Sequence, residues 1–148
     1  MTNQTILHVE DDPNDVFFLD HAFKRAEITA PLQVVNDGQD AIDYLSASGI
    51  FSDRTRFPMP CLVILDLKMP RKDGLQVLQW LRQESNCVWL PVIVLSSSSL
   101  ASDVDRAYRL GANSFVVKPA DINRRIEFAK YIKGYWLEFH EPPPICTI

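Results

Sequence analysis

The run from Cys61 to Leu65 consists only of apolar residues and is followed directly by Asp66. A short apolar run that ends at a proline-containing turn, here Met69-Pro70, is typical of a strand buried on both faces of a parallel sheet. Ligands of open parallel sheets bind beyond the carboxyl ends of the strands. We therefore predict that Asp66 ends a core strand at a position where a carboxylate serves chemistry.

Strand and helix signals alternate along the chain, which favours an α/β fold. The 148 residues suit one domain. The expected architecture is a doubly wound sheet of five parallel strands in the order 2-1-3-4-5, with helices on both faces. The strands are predicted at residues 5–9, 32–35, 61–66, 91–95 and 113–117, with a polar surface loop at 46–60 and a last helix over about 121–139.

The composition argues against two classes of partner. The formal net charge of -4 does not suggest a nucleic-acid-binding surface. No apolar run approaches the ~20 residues of a membrane span, and residues 1–4 contain no basic segment leading into a signal helix. We expect a cytoplasmic protein without nucleic acid or membrane partners.

Polar side chains follow four of the five predicted strands, namely Glu10 and Asp11, Asp66, Ser96, and Lys118. Strand ends of a doubly wound sheet converge on one crevice, so the three carboxylates are expected to meet there. Crowded carboxylates repel one another, and a hard divalent cation such as Mg²⁺ relieves that repulsion. A carboxylate next to a metal, a hydroxyl and an amine suggests phosphoryl transfer to Asp66.

These residues resemble the receiver domain of two-component response regulators of the chemotaxis type. The resemblance rests on the motifs Glu10-Asp11, Ile64-Leu65-Asp66 with Met69-Pro70 and Gly74, Ser96 after an apolar strand, and Lys118-Pro119. It covers the chain from about residue 5 to the last helix and implies a flavodoxin-like fold. It also implies a receiver domain over residues 1–140, a tail over 141–148 and no output domain.

The resemblance implies a role for each residue of the crevice. Asp66 would accept a phosphoryl group from a histidine kinase. Asp11 would bind Mg²⁺ directly and Glu10 largely through water, with Asp66 and the backbone carbonyl of Lys68 as further metal ligands. The protein would then be a phosphoacceptor that assists its own phosphorylation and dephosphorylation, and not an enzyme.

The resemblance also implies a conformational switch. Ser96 and Lys118 would each contact a phosphoryl oxygen. Phe115 occupies the aromatic switch position, where the ring turns inward as Ser96 moves toward the phosphoryl group. The Lys118-Pro119 peptide bond is expected to be cis.

A narrower resemblance covers the loop before the central strand and residues 128–136 of the last helix. These segments look like those of the response regulators that partner cyanobacterial phytochromes, which implies a light-regulated histidine kinase as the phosphodonor.

The last helix has two apolar stripes on a helical wheel. The first stripe would cover the sheet and consists of Ile122, Ile126, Ala129 and Trp136. The second has no predicted partner and consists of Phe128, Tyr131, Tyr135 and Phe139. This second stripe could fold against Ile145 and Ile148, but we favour a homodimer through the last helix and the fifth-strand face.

We interpret the sequence as a single-domain response regulator that signals through protein contacts. Two alternatives stay open. The first is a degenerate receiver that acts only as an interaction module. The second is a Mg²⁺-dependent phosphatase of the haloacid dehalogenase type, although that type has a second Asp where this sequence has Lys68.

Overall fold

Five parallel strands form one sheet, and their order is 2-1-3-4-5 as predicted. The structure is a computed structural model, and it describes residues 4–143. Every residue of the three central strands is buried, because helices cover both faces of the sheet. The strands are β1 Ile6–Val9, β2 Leu32–Val35, β3 Leu62–Leu65, β4 Val92–Ser96 and β5 Ser114–Val117.

Helices pack on both faces of the sheet, which confirms the predicted layer architecture. The helices are α1 Pro13–Arg25, α2 Gly38–Leu45, α3 Gly74–Gln83, α4 Ala101–Arg109 and α5 Ile122–Tyr131. On one face, α1 and α5 contribute Leu19, Phe23 and Ala129 to a buried cluster. On the other face, a second cluster includes Tyr44 from α2 and Leu78 from α3. No helix among the described residues has the length and apolarity needed to cross a bilayer.

Side-chain caps fix where the helices at the carboxyl edge of the sheet begin. Asp12 accepts a hydrogen bond from the backbone N–H of Asn14, and Pro13 is the first helical residue of α1. Asp73 and Gln76 form a capping box at the start of α3. The cap of α1 starts that helix three residues after β1, whereas the loop before α3 spans residues 66–73.

The segment 46–60 is only partly irregular. It contains a 3₁₀ helix, Gly49–Phe51, and Phe51 is only 8% exposed. The Phe51 ring packs against Tyr44 and Phe57, with ring centroids 5.3 and 5.1 Å away. The rest of the segment is mostly exposed or half-buried, as predicted for a surface loop, and only Phe51 and Pro60 are buried. The Phe51 contact was not predicted, because the aromatic residues that form it follow no periodic pattern.

The last helix covers the predicted extent but changes its winding. After α5, the backbone continues as a π-helix over Ile132–Phe139. Ala129 and Ile132 are buried against the sheet, as a covering helix requires.

The division of this helix into two stripes was partly wrong. Phe128 packs against the core, whereas Ile122 is 41% exposed. Three residues of the second stripe are exposed as predicted: Tyr131, Tyr135 and Phe139, at 69%, 54% and 83%. Ile145 and Ile148 lie outside the described residues.

Candidate functional site

Three carboxylates meet where β1 and β3 end. The two strands are neighbours, and Val9 pairs with Leu65, so the residues that follow them emerge side by side. One oxygen from each of Glu10, Asp11 and Asp66 lies within 4.8 Å of the others. Glu10 and Asp66 are buried, whereas Asp11 is exposed. Hard oxygen donors at this spacing suit a divalent cation with one side of its coordination shell open to water.

The two oxygens of Asp66 have different environments. Oδ1 accepts a hydrogen bond from the backbone N–H of Leu67 at 2.9 Å. Oδ2 lies 3.7 Å from Nζ of Lys118, which is an ion-pair distance. The Leu67 contact therefore fixes the carboxylate and leaves Oδ2 facing the amine.

Lys118 enters the site from the end of β5. Its backbone N–H donates to the Ser96 carbonyl at 2.8 Å, and its side chain is only 11% exposed. Nζ lies 2.7 Å from both Oε1 of Glu10 and Oδ2 of Asp15. The expected cis bond before Pro119 is wrong, since the bond is trans and the side chain reaches the acidic cluster from that geometry.

Asp15 and Arg125 are charged neighbours of the site that the sequence analysis missed. Asp15 lies in the first turn of α1, and its Oδ1 is 3.7 Å from Nη1 of Arg125 on α5. The Arg125 guanidinium also lies over the Phe18 ring, 4.8 Å from its centroid. The signal in the sequence was an acidic residue three positions after the N-cap Asp12, which places a fourth carboxylate in the first turn of α1 at the same edge.

Burial shifts the protonation of the cluster. It raises the pKa of Glu10 to about 7, assisted by the charge of Asp66 and opposed by the hydrogen bond from Lys118. Burial also raises the pKa of Asp66, against the opposing charge of Lys118. Burial alone would lower the pKa of Lys118, but hydrogen bonds to Asp15 and Glu10 outweigh it and raise that pKa to about 12. With a pKa of about 7, Glu10 is only partly ionised near neutral pH, and a bound cation would complete its ionisation.

Ser96 is the last residue of β4, and its side chain is buried. The Ser96 Oγ accepts a hydrogen bond from the Ser98 N–H at 3.1 Å. Ser96 pairs with Val117 in the sheet, so the hydroxyl residue and Lys118 leave adjacent strands at the same edge.

Phe115 and Lys68, the remaining predicted residues, lie on β5 and just after β3. Phe115 is half-buried and packs against the core cluster beneath α2 and α3. The Lys68 side chain is exposed, and only its backbone carbonyl was predicted to act in the site.

The family model of the response regulator receiver domain matches residues 6–130 of this sequence. The chain belongs to this receiver family. Three solved structures similar to this receiver are RPA3017, a response regulator in red light signalling of R. palustris, the phosphorylated cyanobacterial phytochrome response regulator RcpA, and the Mn²⁺-bound form of the response regulator Rcp1.

The likeness extends over nearly the whole of each chain. RPA3017 is 38% identical, with a TM-score of 0.90 over 96% of this chain and 99% of its own. RcpA is 29% identical, with a TM-score of 0.87, and the match covers 96% of this chain and 99% of the RcpA chain. Rcp1 of Synechocystis is 31% identical. Its structure has a TM-score of 0.83, and the match covers 95% of this chain and 99% of the Rcp1 chain. These relatives confirm the narrower resemblance to phytochrome response regulators.

The loop after Asp66 is held to α2 by contacts that the receiver sequence did not reveal. Arg71 donates from Nε to Oδ2 of Asp37 at 2.8 Å and from Nη2 to Oδ1 of Asp40 at 2.9 Å. A β-carbon on Gly38 would overlap the backbone of Lys72, so the loop and α2 touch directly. Both contacts fix the segment that carries the Lys68 carbonyl.

Proposed function

We propose that this receiver is a single-domain response regulator that accepts a phosphoryl group on Asp66 in a Mg²⁺-dependent reaction. The observation that carries the proposal is the position of Asp66, whose Oδ2 faces Lys118 and whose carboxylate shares a cation-sized space with Glu10 and Asp11. The phosphorylated state of the similar protein RcpA supports it.

The chemistry follows from the fixed orientation of the Asp66 carboxylate. Oδ2 would attack phosphorus, so that a P–O bond forms while the P–N bond of the donor phosphohistidine breaks. Leu67 would hold Oδ1 during the attack, and Lys118 would neutralise one phosphoryl oxygen. Ser96 would donate a hydrogen bond to another oxygen.

The acidic cluster fits a divalent metal, since its donors are carboxylate oxygens within 4.8 Å of one another. Glu10, Asp11, Asp66 and the carbonyl of Lys68 would hold Mg²⁺, and the bound metal would supply positive charge to the phosphoryl oxygens. The Mn²⁺-bound form of Rcp1 supports a divalent ion. The receiver would assist its own phosphorylation and dephosphorylation without turning over a substrate.

The phosphodonor in this proposal is a histidine kinase of the phytochrome type. The similar proteins RcpA and RPA3017 support it, because one is named a phytochrome response regulator and the other a regulator in red light signalling. Transfer from such a kinase would take place in the cytoplasm.

The signal would leave through protein contacts of residues 1–140, with 141–148 as a tail. Ser96 and Phe115 would act as the switch, and the exposed aromatic residues of the last helix would join the β5 face in a homodimer. One groove between β5 and α5 is bordered by Tyr131, which is 69% exposed, and by Val117, which is 46% exposed. This groove supports a dimer surface to which both elements contribute.

Phosphorylation with acetyl phosphate tests the assignment of Asp66. Wild-type protein should gain one phosphoryl mass with Mg²⁺ and none after chelation. Asp66→Asn should gain none, whereas Asp20→Asn, on the outer side of α1, should match wild type. Undiminished labelling of Asp66→Asn would refute the assignment. Lys118→Ala should be phosphorylated without the shift in oligomeric state.

The two alternatives predict different behaviour. An interaction module without chemistry would show no coupled binding of Mg²⁺ and beryllofluoride in calorimetry. A phosphatase would release phosphate catalytically from phosphomonoesters, which this proposal excludes.

A further inference from the structure

The Lys118 amine is shared unequally among three carboxylates. Its ammonium group has three hydrogens to donate. Two are directed to Glu10 and Asp15, each at 2.7 Å, while Asp66 lies beyond hydrogen-bond distance at 3.7 Å. In this state Asp15 competes with Asp66 for the amine. The third hydrogen is left for a phosphoryl group on Asp66, whose greater negative charge would draw the amine away from Asp15.

Asp15 also connects the amine to α5. Its second oxygen lies 3.7 Å from Nη1 of Arg125. The side chains of Asp15 and Arg125 are both only 20% exposed, so the pair lies between the packed helices and not in open solvent. The Arg125 guanidinium rests on the Phe18 ring, which limits how far it can move away.

We propose that Asp15 is a positioning residue for Lys118, and that phosphorylation of Asp66 transfers the Asp15 carboxylate from Lys118 to Arg125. This inference rests on the proposed function. A phosphoryl group carries more negative charge than one carboxylate and therefore attracts Lys118 more strongly. Among the described residues, Arg125 is then the cation within 4 Å that Asp15 retains. A mostly buried carboxylate is costly without a partner, so the pair with Arg125 shortens.

The transfer would carry the signal to the last helix. Arg125 lies in the first turns of α5, and the same helix continues into the π-helix with exposed Tyr135 and Phe139. The route is separate from the predicted switch of Ser96 and Phe115, which lies at β4 and β5. The plain alternative is a static ion pair that holds α1 to α5 in both states.

Side-chain NMR of arginine Nε–Hε groups separates the two possibilities. The Arg125 signal, assigned with Arg125→Lys, should shift when Mg²⁺ and beryllofluoride are added to wild-type protein. The Arg125 signal should shift by the same amount in the matched control Asp20→Asn. In wild-type protein the Asp20 carboxylate lies on the same helix and pairs with Lys24. The Arg125 signal should not shift in Asp15→Asn.

Binding affinity provides a second readout. Asp15→Asn should bind beryllofluoride about 3-fold more tightly, since the competing charge is removed. Arg125→Gln should bind it about 3-fold more weakly, because Asp15 loses its second partner. The double variant should behave like Asp15→Asn. Arg125→Gln also keeps the test valid if Asp15→Asn does not fold.

The outcomes distinguish this inference from the proposed function. If beryllofluoride binds but the Arg125 signal stays unchanged, or shifts equally in Asp15→Asn, the transfer is refuted and the phosphorylation site stands. If wild-type protein does not bind beryllofluoride with Mg²⁺, the proposed function is refuted, and the transfer with it.

Discussion

Gly74 lies so close to Asp66 that a β-carbon on residue 74 would overlap the Asp66 carbonyl oxygen. The Gly74 N–H also donates to the Leu67 carbonyl at 2.8 Å, so the start of α3 rests directly on the end of β3. We expect Gly74→Ala to lower the free energy of unfolding by about 2 kcal/mol, because the backbone must move to admit the methyl group. Denaturant unfolding measures this loss.

Gly134 offers the matched control, since a β-carbon there would meet no atom of the described residues within 4 Å apart from its own helix backbone and chain neighbours. Gly134→Ala should leave stability unchanged or raise it by up to about 1 kcal/mol, because alanine favours helical backbone. Equal losses from the two substitutions would contradict the role of the Gly74 contact.

The Tyr108 hydroxyl accepts a hydrogen bond from the Phe115 N–H at 3.0 Å. Strand β5 is at the edge of the sheet, so this N–H is satisfied by α4 instead of by another strand. Tyr108→Phe should cost about 0.5–1 kcal/mol and accelerate hydrogen exchange of the Phe115 amide. NMR-detected exchange measures the effect at that amide.

Tyr131→Phe is the control for this prediction, because Tyr131 is 69% exposed and lies on α5. It should leave the exchange of Phe115 unchanged. Equal exchange rates in wild type and Tyr108→Phe would show that the hydroxyl does not protect the strand edge.

The strands were predictable from local patterns, and the general rule for doubly wound sheets then gave their order and the edge that carries the acidic cluster. The apolar run before Asp66 and the alternation of strands and helices are visible over short windows of sequence. Asp15 was missed as a partner of Lys118, although Glu10, which lies even further from Lys118 in the sequence, was predicted to share its site. The position of Asp15 at a helix start explained an acidic residue there without any tertiary contact.

Side-chain packing was less predictable than topology. Phe51 is buried because Tyr44 of α2 and Phe57 of the same loop segment pack against its ring. Phe128 was assigned to the exposed stripe by helical spacing, but it packs against the core next to Leu19. Spacing gives the direction of a side chain on its helix, and the neighbouring helix decides whether that direction is covered.

Metal affinity should depend on pH through Glu10. Its pKa of about 7 means that the carboxylate holds a proton below neutral pH, and a cation must displace that proton. The apparent affinity for Mg²⁺ should therefore rise about tenfold between pH 6 and pH 8. Calorimetry in buffers of different ionisation enthalpy measures both the affinity and the released proton.

Glu10→Gln should bind Mg²⁺ more weakly at every pH and lose most of this dependence, because the titrating group is removed. Asp43→Asn, on α2, is the control and should keep the wild-type profile. A flat wild-type profile would show that Glu10 is already ionised without metal.

His8 should make the protein sensitive to acid. Burial lowers the pKa of His8 to about 4, assisted by the charge of Lys118 and opposed by that of Asp15. Its Nδ1 atom is buried without a hydrogen-bond partner among the described residues, which fits a neutral ring. The unfolded chain binds this proton near pH 6.5. Stability from His8 is therefore complete above pH 6.5 and falls by about 3 kcal/mol as the pH drops to 4.

Glu10 acts in the opposite direction, because its raised pKa makes the folded state bind a proton between its ordinary value of 4.5 and about 7. The pH dependence of the free energy of unfolding of wild-type protein therefore combines opposing contributions from His8 and Glu10. His8→Leu keeps Glu10 and removes the titrating ring, so the difference between the two unfolding profiles isolates His8. We expect that difference to change by about 3 kcal/mol between pH 6.5 and pH 4, and a constant difference would show that His8 is protonated in the folded protein.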